Sequence, residues 1–270
     1  MTTAHLMNEP AVSDQLLARA VVYRALGIGL DRPTQATHAG FCAGRAALQL
    51  AARTLEEEVD GPLFAAVERL LGLAPPGHEV LRRSHERLFG HTLRGRVCPY
   101  ECEYDSRAML QQAHDLADLA GFYAAFGLCT GEGRHERPDH VACEVEFLEF
   151  LVRKECWALE HGDGEMAGTT RAAARMFLGD HLARFGRAFA RALQEAEPDG
   201  FYGALGELCE SFLRLECERL DLALGPKVLE LCSTEPDGVP MACGSAGSGN
   251  SDELVQLGGG PPGARPTGSA

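Results

Sequence analysis

An Asp-His pair, followed four residues after the histidine by a glutamate, lies at the start of an apolar stretch with helical spacing. The segment reads ERPDHVACEVEFLEFL and spans residues 136–151. Carboxylate and imidazole groups placed this closely can bind a metal ion, exchange protons with a substrate or hold a cationic ligand. Asp139, His140 and Glu144 are therefore the candidate functional residues that the rest of the chain has to position.

The helical phase of this segment decides which way those side chains point. A helix that begins at Pro138 has proline in its first turn and Asp139 at the positive end of its dipole. Steps of 100° per residue put His140 and Glu144 inside the apolar sector, one turn apart. A buried carboxylate needs a partner, and His140 is close enough along the helix to serve. The spacing favours two interpretations, a structural polar pair and a functional one.

Enzyme motifs are otherwise missing from the sequence. HExxH, GxSxG, GxGxxG and GxxxxGK[ST] do not occur, and the single Glu-x-x-His, Glu132 to His135, falls in a glycine-rich stretch. Cys98 and Cys102 are predicted to be free thiols rather than metal ligands. The sequence thus predicts no catalytic residues, no metal and no cofactor. A helical metal- or nucleotide-dependent enzyme that uses Asp139, His140 and Glu144 stays open as the alternative.

The charge balance restricts the partners. Thirty-nine acidic against 25 basic residues give a formal charge of −14, which offers no electrostatic support for nucleic-acid binding and suits a cationic peptide. No apolar run reaches the roughly 18 residues of a membrane span, and the N-terminus lacks the basic-then-apolar order of a signal peptide. We expect a cytoplasmic protein without stable membrane insertion.

Helical periodicity dominates the elements that would position these residues. It predicts an all-α domain over residues 1–232, with seven to nine helices in two halves joined by a hinge near 129–137. An irregular stretch, GHTLRGRVCPYECEY, occupies residues 90–104. Residues 233–270 hold nine glycines and five prolines, which predicts a disordered tail. A hinge permits exchange of halves between copies, so either a monomer or a homodimer is expected.

Four motifs together resemble a known family. RLFG (87–90), PYECEY (99–104), DLAGFYAAFGL (118–128) and ERPDHVACEVEFLEFL (136–151) occur in an order and at spacings similar to those of the TorD/DmsD/NarJ family of redox-enzyme maturation chaperones. The resemblance covers roughly residues 80–160. The cysteines Cys98 and Cys102 and the glycine-rich tail depart from the family pattern.

The resemblance implies an all-helical chaperone and not an enzyme. Its members bind the N-terminal twin-arginine type signal peptide of a molybdopterin oxidoreductase and hold the apo catalytic subunit in the cytoplasm until its cofactor is inserted. A plain helical adaptor for a partner subunit is a third hypothesis. By resemblance, the residues expected in the peptide-binding groove are Asp139, His140, Glu144, Leu88, Phe89, Tyr100, Glu101 and Tyr104.

Residue chemistry is compatible with that expectation. A twin-arginine peptide presents two guanidinium groups followed by an apolar run, so its receptor needs carboxylates beside apolar surface. Asp139, Glu144 and Glu101 can supply the carboxylates. The apolar pattern by itself favours a core position for Leu88 and Phe89, whereas the tyrosines can equally pack the irregular stretch.

Overall fold

Helices form all the regular elements of the described chain. The computed structural model describes residues 12–56, 61–73, 76–90, 95–104, 109–128 and 137–232. These ranges contain no strands, only two isolated bridge pairs, which confirms the predicted all-α class. The helices are α1 (Val12–Leu30), α2 (Gln35–Leu55), α3 (Pro62–Gly72), α4 (His78–Phe89), α5 (Met109–Ala125), α6 (Val141–Glu160), α7 (Gly164–Phe177), α8 (Ala183–Ala196) and α9 (Phe201–Leu220).

The core lies where α1 packs along α6 and where α8 packs along α9. Gly29 permits a close approach between the two pairs, because a Cβ atom at this position would lie only 2.9 Å from the side chain of Leu205 in α9. Large aromatic side chains fill the space between the helices. Those with almost no solvent exposure are Tyr23, Tyr202, Phe177, Phe185, Phe189 and Phe212.

A buried ion pair joins the first and last helices. Arg19 of α1 donates from Nε and Nη2 to the two carboxylate oxygens of Glu216 in α9, each at 2.7 Å, and the Tyr23 hydroxyl donates to the same carboxylate at 2.8 Å. Burial by itself would raise the pKa of Glu216, but the Arg19 guanidinium outweighs it and lowers that pKa. The Glu216 carboxylate is therefore ionised and tied to α1.

Two irregular segments, a π turn and the chain that follows α9, pack against these helices. A π turn, Leu178–Leu182, separates α7 from α8 and brings His181 to the interior. After α9 the chain returns over α8, where the Gly225 amide donates to the Ala183 carbonyl at 2.9 Å. A Cβ atom at Gly225 would collide with the Arg184 carbonyl oxygen, so glycine is required for this contact. The segment ends with the Cys232 amide donating to the Glu103 carbonyl at 2.8 Å.

The helical periodicity predicts a single helix over residues 166–196, which the π turn divides into α7 and α8. A second difference concerns the start of α6. That helix begins at Val141, three residues after the predicted start at Pro138. Residues 129–136 of the predicted hinge and residues 233–270 of the predicted tail lie outside the described residues, so both remain predictions. Among the helices that the structure describes, none has the length and apolar character needed to cross a membrane.

Replacing Arg19 with methionine is expected to lower the free energy of unfolding by about 3–5 kcal/mol, because the buried Glu216 carboxylate then loses its guanidinium. Urea unfolding followed by circular dichroism measures this loss. Arg24→Met is the matched control, since Arg24 forms a pair with Glu149 across 3.7 Å from an exposed position. That control should lose less than about 1 kcal/mol. Equal losses in the two variants would contradict a stabilising role for the buried pair.

Candidate functional site

The turn before α6 and the irregular stretch after α4 form one hydrogen-bonded unit. The Glu101 amide donates to the Asp139 carbonyl at 2.9 Å, and the Val141 amide donates to the Pro99 carbonyl at 2.8 Å. The Tyr123 hydroxyl of α5 donates to the Pro138 carbonyl at 2.8 Å. Two segments that are nearly 40 residues apart in sequence are thereby held side by side. This pairing explains the late start of α6, because the backbone before Val141 is committed to the turn.

Asp139 is the central side chain of this unit. It is 0% exposed, and its carboxylate accepts hydrogen bonds from Arg137 Nε at 2.9 Å and from Arg137 Nη2 at 2.7 Å. The Cys102 amide donates to the same carboxylate at 3.2 Å. Asp139 therefore lies before the helix rather than in its first turn, where the sequence placed it, and its charge is neutralised within the chain.

Three side chains hold the guanidinium group of Arg137. Besides the paired contact with Asp139, Nη1 donates to Glu103 Oε1 at 3.0 Å, and the group lies 4.9 Å from the centre of the Tyr100 ring. We call Asp139, Glu103 and Tyr100 the arginine clasp. Burial alone would lower the pKa of Arg137, but the bonds to Asp139 and Glu103 outweigh it and raise that pKa. The Arg137 side chain is nevertheless 30% exposed, so the clasp faces solvent on one side.

His140 caps α6 instead of lying within it. Its Nδ1 accepts a hydrogen bond from the Ala142 amide at 3.2 Å, and its ring meets that of Tyr100 edge-on, with centroids 5.3 Å apart. The predicted partnership of His140 with Glu144 is not found: neither carboxyl oxygen of Glu144 has a hydrogen-bond partner among the described residues. The capping bond explains this outcome, because it directs Nδ1 toward the helix backbone.

Glu144 points inward, as its helical phase predicts, and is 0% exposed. Burial, with the nearby carboxylates of Glu101 and Asp139, raises the pKa of Glu144 well above its usual value. A buried carboxyl group without a partner favours its neutral form. Glu144 is therefore an acid that the described part of the chain leaves without a hydrogen bond.

A second polar contact joins the irregular stretch to the π turn. Glu101 Oε2 lies 3.0 Å from His181 Nδ1, and Arg184 Nη1 lies 3.7 Å from the other oxygen of Glu101. On its opposite side, His181 Nε2 is 3.4 Å from Asp118 of α5, an ion-pair distance without hydrogen-bond geometry. Burial would lower the pKa of His181, but the Glu101 and Asp118 carboxylates outweigh it and raise that pKa.

The side chains around the turn form an acidic cluster, which we define as Glu101, Glu103, Asp118, Asp139 and Glu144. Among the described residues, the basic side chains that form ion pairs with this cluster are those of Arg137, His181 and Arg184. Five carboxyl groups thus meet three bases, and three of the five are less than about a tenth exposed. Within the described residues, carboxyl groups therefore outnumber bases beside α6.

Three of the predicted groove residues lie in the core instead. Leu88 and Phe89 are buried, and the Phe89 ring packs against those of Phe189 and Tyr202, 6.3 and 5.7 Å away. Tyr104 is also buried, where its hydroxyl donates to the Cys98 carbonyl at 2.7 Å. The structure thus brings Tyr100, Glu101, Asp139, His140 and Glu144 together, and places the apolar pair among the helices.

Sequence reasoning missed three members of the site. Arg137 and Glu103 belong to the quoted motifs, and their charges beside Asp139 and Glu101 were the signal that could have found them. His181 has no such signal, because it lies 80 residues from Glu101 and outside every motif. Only the packing of the π turn against the irregular stretch reveals it.

No metal centre is present in the described ranges, since no three His, Cys, Asp or Glu side chains there are placed to hold an ion. No disulfide bond joins the eight described cysteines to one another. Burial raises the pKa of the Cys98 thiol to about 11 and also raises that of the Cys102 thiol. These thiols therefore favour their protonated, less reactive form at neutral pH.

Comparison with known proteins agrees with the motifs. Residues 45–191, which are 147 of the 270, match the family described as nitrate reductase delta subunit. A perchlorate reductase assembly chaperone protein of Dechloromonas aromatica (strain RCB) is 27% identical over 221 residues, which cover 79% of this chain and 96% of the relative.

Two further relatives match over shorter regions. A selenate reductase assembly chaperone protein of Thauera selenatis is 42% identical over 99 residues, and a chlorate reductase assembly chaperone protein of Ideonella dechloratans is 39% identical over 98 residues. Each match covers 36% of this chain and spans half the length of the relative.

All three relatives are named for the assembly of a reductase and not for a reaction of their own. The resemblance seen in the four motifs is thereby confirmed. The chain belongs to the nitrate reductase delta subunit family of NarJ/TorD-type redox-enzyme maturation chaperones, and it is not an enzyme.

Proposed function

We propose that this protein is a cytoplasmic chaperone that binds the N-terminal signal peptide, of the twin-arginine type, of a molybdopterin oxidoreductase. It holds the apo form of the catalytic subunit while the molybdenum cofactor is inserted, before export. The relatives named for selenate, perchlorate and chlorate reductase assembly support a reductase as the client. Within the structure, the proposal depends on one observation, an acidic cluster with surplus carboxyl groups beside apolar surface.

The charge of the cluster suits an arginine-rich ligand. Even without Glu144, whose neutral form is favoured, four carboxyl groups of the cluster face three bases among the described residues, so a further guanidinium group would improve the balance. Asp118 and Glu103 lie toward its solvent side, with side chains 50% and 19% exposed, and can meet an incoming cation first. Glu144 lies deeper and has no hydrogen-bond partner among the described residues.

The apolar part of a signal peptide finds suitable surface on α5 and α6. Phe122, Phe126 and Phe150, which we call the aromatic row, are each half-buried. The Phe122 ring is 5.7 Å from that of His181, and the rings of Phe126 and Phe150 are 6.2 Å apart. Asp118 precedes Phe122 by one helical turn, so the row begins beside a carboxylate of the cluster. This order of charge and then apolar surface matches the order in a twin-arginine peptide.

Titration calorimetry with synthetic peptides tests the proposal. A peptide with two adjacent arginines and an apolar run should bind, and its Lys-Lys version should bind about 10- to 100-fold more weakly, because lysine cannot pair with a carboxylate through two parallel bonds. Asp118→Asn and Glu103→Gln should weaken binding of the arginine peptide. Glu149→Gln on the opposite face of α6 is the control and should not.

Two outcomes would count against this function. Binding of none of the peptides would exclude signal-peptide recognition by this protein. Equal binding of the Arg-Arg and Lys-Lys peptides, with no effect of Asp118→Asn, would indicate the plain adaptor instead.

The neutral form of Glu144 can be tested by the pH dependence of stability. The pKa of Glu144 is raised in the folded protein, so the unfolded chain releases this proton at a lower pH than the folded chain does. Stability relative to Glu144→Gln should therefore fall as pH rises above the unfolded value, by up to about 1.4 kcal/mol per pH unit, until the folded pKa is reached. Urea unfolding between pH 4.5 and about 8 measures the difference. A constant difference between the two proteins would show that Glu144 is ionised when folded.

A further inference from the structure

We infer that the arginine clasp is an exchangeable guanidinium site, which Arg137 fills in the free protein and which an arginine of the client peptide takes over. This inference rests on the proposed function, because it names the place at which that peptide's arginine binds. It also makes Arg137 an internal competitor of the client.

The clasp recognises each feature of a guanidinium group. The Asp139 carboxylate accepts hydrogen bonds from Arg137 Nε and Nη2, at 2.9 and 2.7 Å, along one edge of the guanidinium group. Glu103 accepts a hydrogen bond from Arg137 Nη1 at 3.0 Å. The Tyr100 ring covers the flat face at 4.9 Å. An ammonium group has neither two parallel N–H donors nor a flat face, so the clasp is selective for arginine over lysine. The contacts that hold Arg137 are therefore those that any arginine would make.

The exposure of the partners shows how exchange can occur. The Asp139 carboxylate is completely buried, whereas the Arg137 side chain that covers it is 30% exposed. Rotation of the Arg137 side chain toward water uncovers the carboxylate and leaves the backbone of the turn in place. A buried carboxylate without a cation is unfavourable, so the opened clasp favours the entry of another guanidinium group.

The other buried arginine shows what a permanent pair looks like. Arg19 is 2% exposed, and its partner Glu216 also accepts a hydrogen bond from Tyr23 and one from Arg219. No outward rotation is open to Arg19, because α1 and α9 enclose it. The Arg19–Glu216 pair is thus enclosed by helices, whereas the Arg137–Asp139 pair is accessible from solvent. The exchange of one arginine for another requires this access.

A small guanidinium compound tests the clasp without a client. Arg137→Ala should be less stable than the natural protein, and millimolar methylguanidinium chloride should raise its Tm in a saturable way by about 2 °C or more. Methylammonium chloride should have no such effect, and neither salt should stabilise the natural protein, whose clasp is filled. Arg153→Ala, which removes the exposed Arg153–Glu149 pair on α6, is the control variant and should not respond.

Two further variants keep this test decisive. Arg137→Gln keeps the aliphatic part of the side chain and a polar end without the guanidinium group, and it replaces Arg137→Ala should the latter not fold. Adding Asp139→Asn to either variant should abolish the response to methylguanidinium. Stabilisation of Arg137→Ala no greater than that of the natural protein would overturn the inference.

The competition is measured with the arginine peptide itself. If Arg137 leaves the clasp open in about one molecule in ten, Arg137→Ala should bind the Arg-Arg peptide about tenfold more tightly than the natural protein does. Its affinity for the Lys-Lys peptide should not change. Equal or weaker binding of the Arg-Arg peptide would overturn the exchange.

These measurements separate the inference from the proposed function. Should methylguanidinium stabilise Arg137→Ala while no peptide binds to either protein, the guanidinium site stands, and the exchange with a client and the proposed function both fail. Should the peptide bind the natural protein while Arg137→Ala shows neither response, the proposed function stands and the clasp is a fixed structural contact.

Discussion

The neutralisation of one buried carboxylate holds the candidate site together. Asp139 has no contact with solvent and takes its compensation from the Arg137 fork and from the Cys102 amide. Separating the turn before α6 from the irregular stretch would remove the Cys102 amide from Asp139 and the Glu103 carboxylate from Arg137, so the two segments stabilise each other. The remaining polar contacts of the site depend on this arrangement.

The start of α6 follows from the same constraint. Because the Asp139 carbonyl is bonded to the Glu101 amide, the helix cannot begin earlier, and His140 becomes its cap. Because α6 begins directly after His140, Glu144 lies on the inward face of the helix, near the carboxylates of Glu101 and Asp139. The acid surplus that suits an arginine-rich partner is thus a by-product of how the turn is built.

For a chaperone, a site of this kind has a useful property. Under the proposed function, the site must stay folded when no peptide is bound, yet its charged groups need partners at all times. Arg137 meets this need in the free protein, since it neutralises Asp139 and Glu103 from within the chain. The contrast with the enclosed pair of Arg19 and Glu216 shows that burial, rather than ion-pair geometry, separates a structural contact from an accessible one.

Much of this organisation is contained in local sequence patterns. Helical periodicity and the breaks near Gly61-Pro62 and Gly72 are sufficient for the all-α class and most helix bounds, because both act within a few residues. The inward direction of Glu144 also follows from phase alone. Four short motifs, read by resemblance, identified the family.

The tertiary structure decided which side chains contact one another. His140 bonds to its own helix instead of Glu144, Leu88 and Phe89 pack in the core, and Glu101 meets His181 across 80 residues. Such contacts depend on how whole helices and turns pack, which no local pattern encodes. The sequence by itself determined the all-α class, most helix bounds and the family, and only the packing decided which charges neutralise one another.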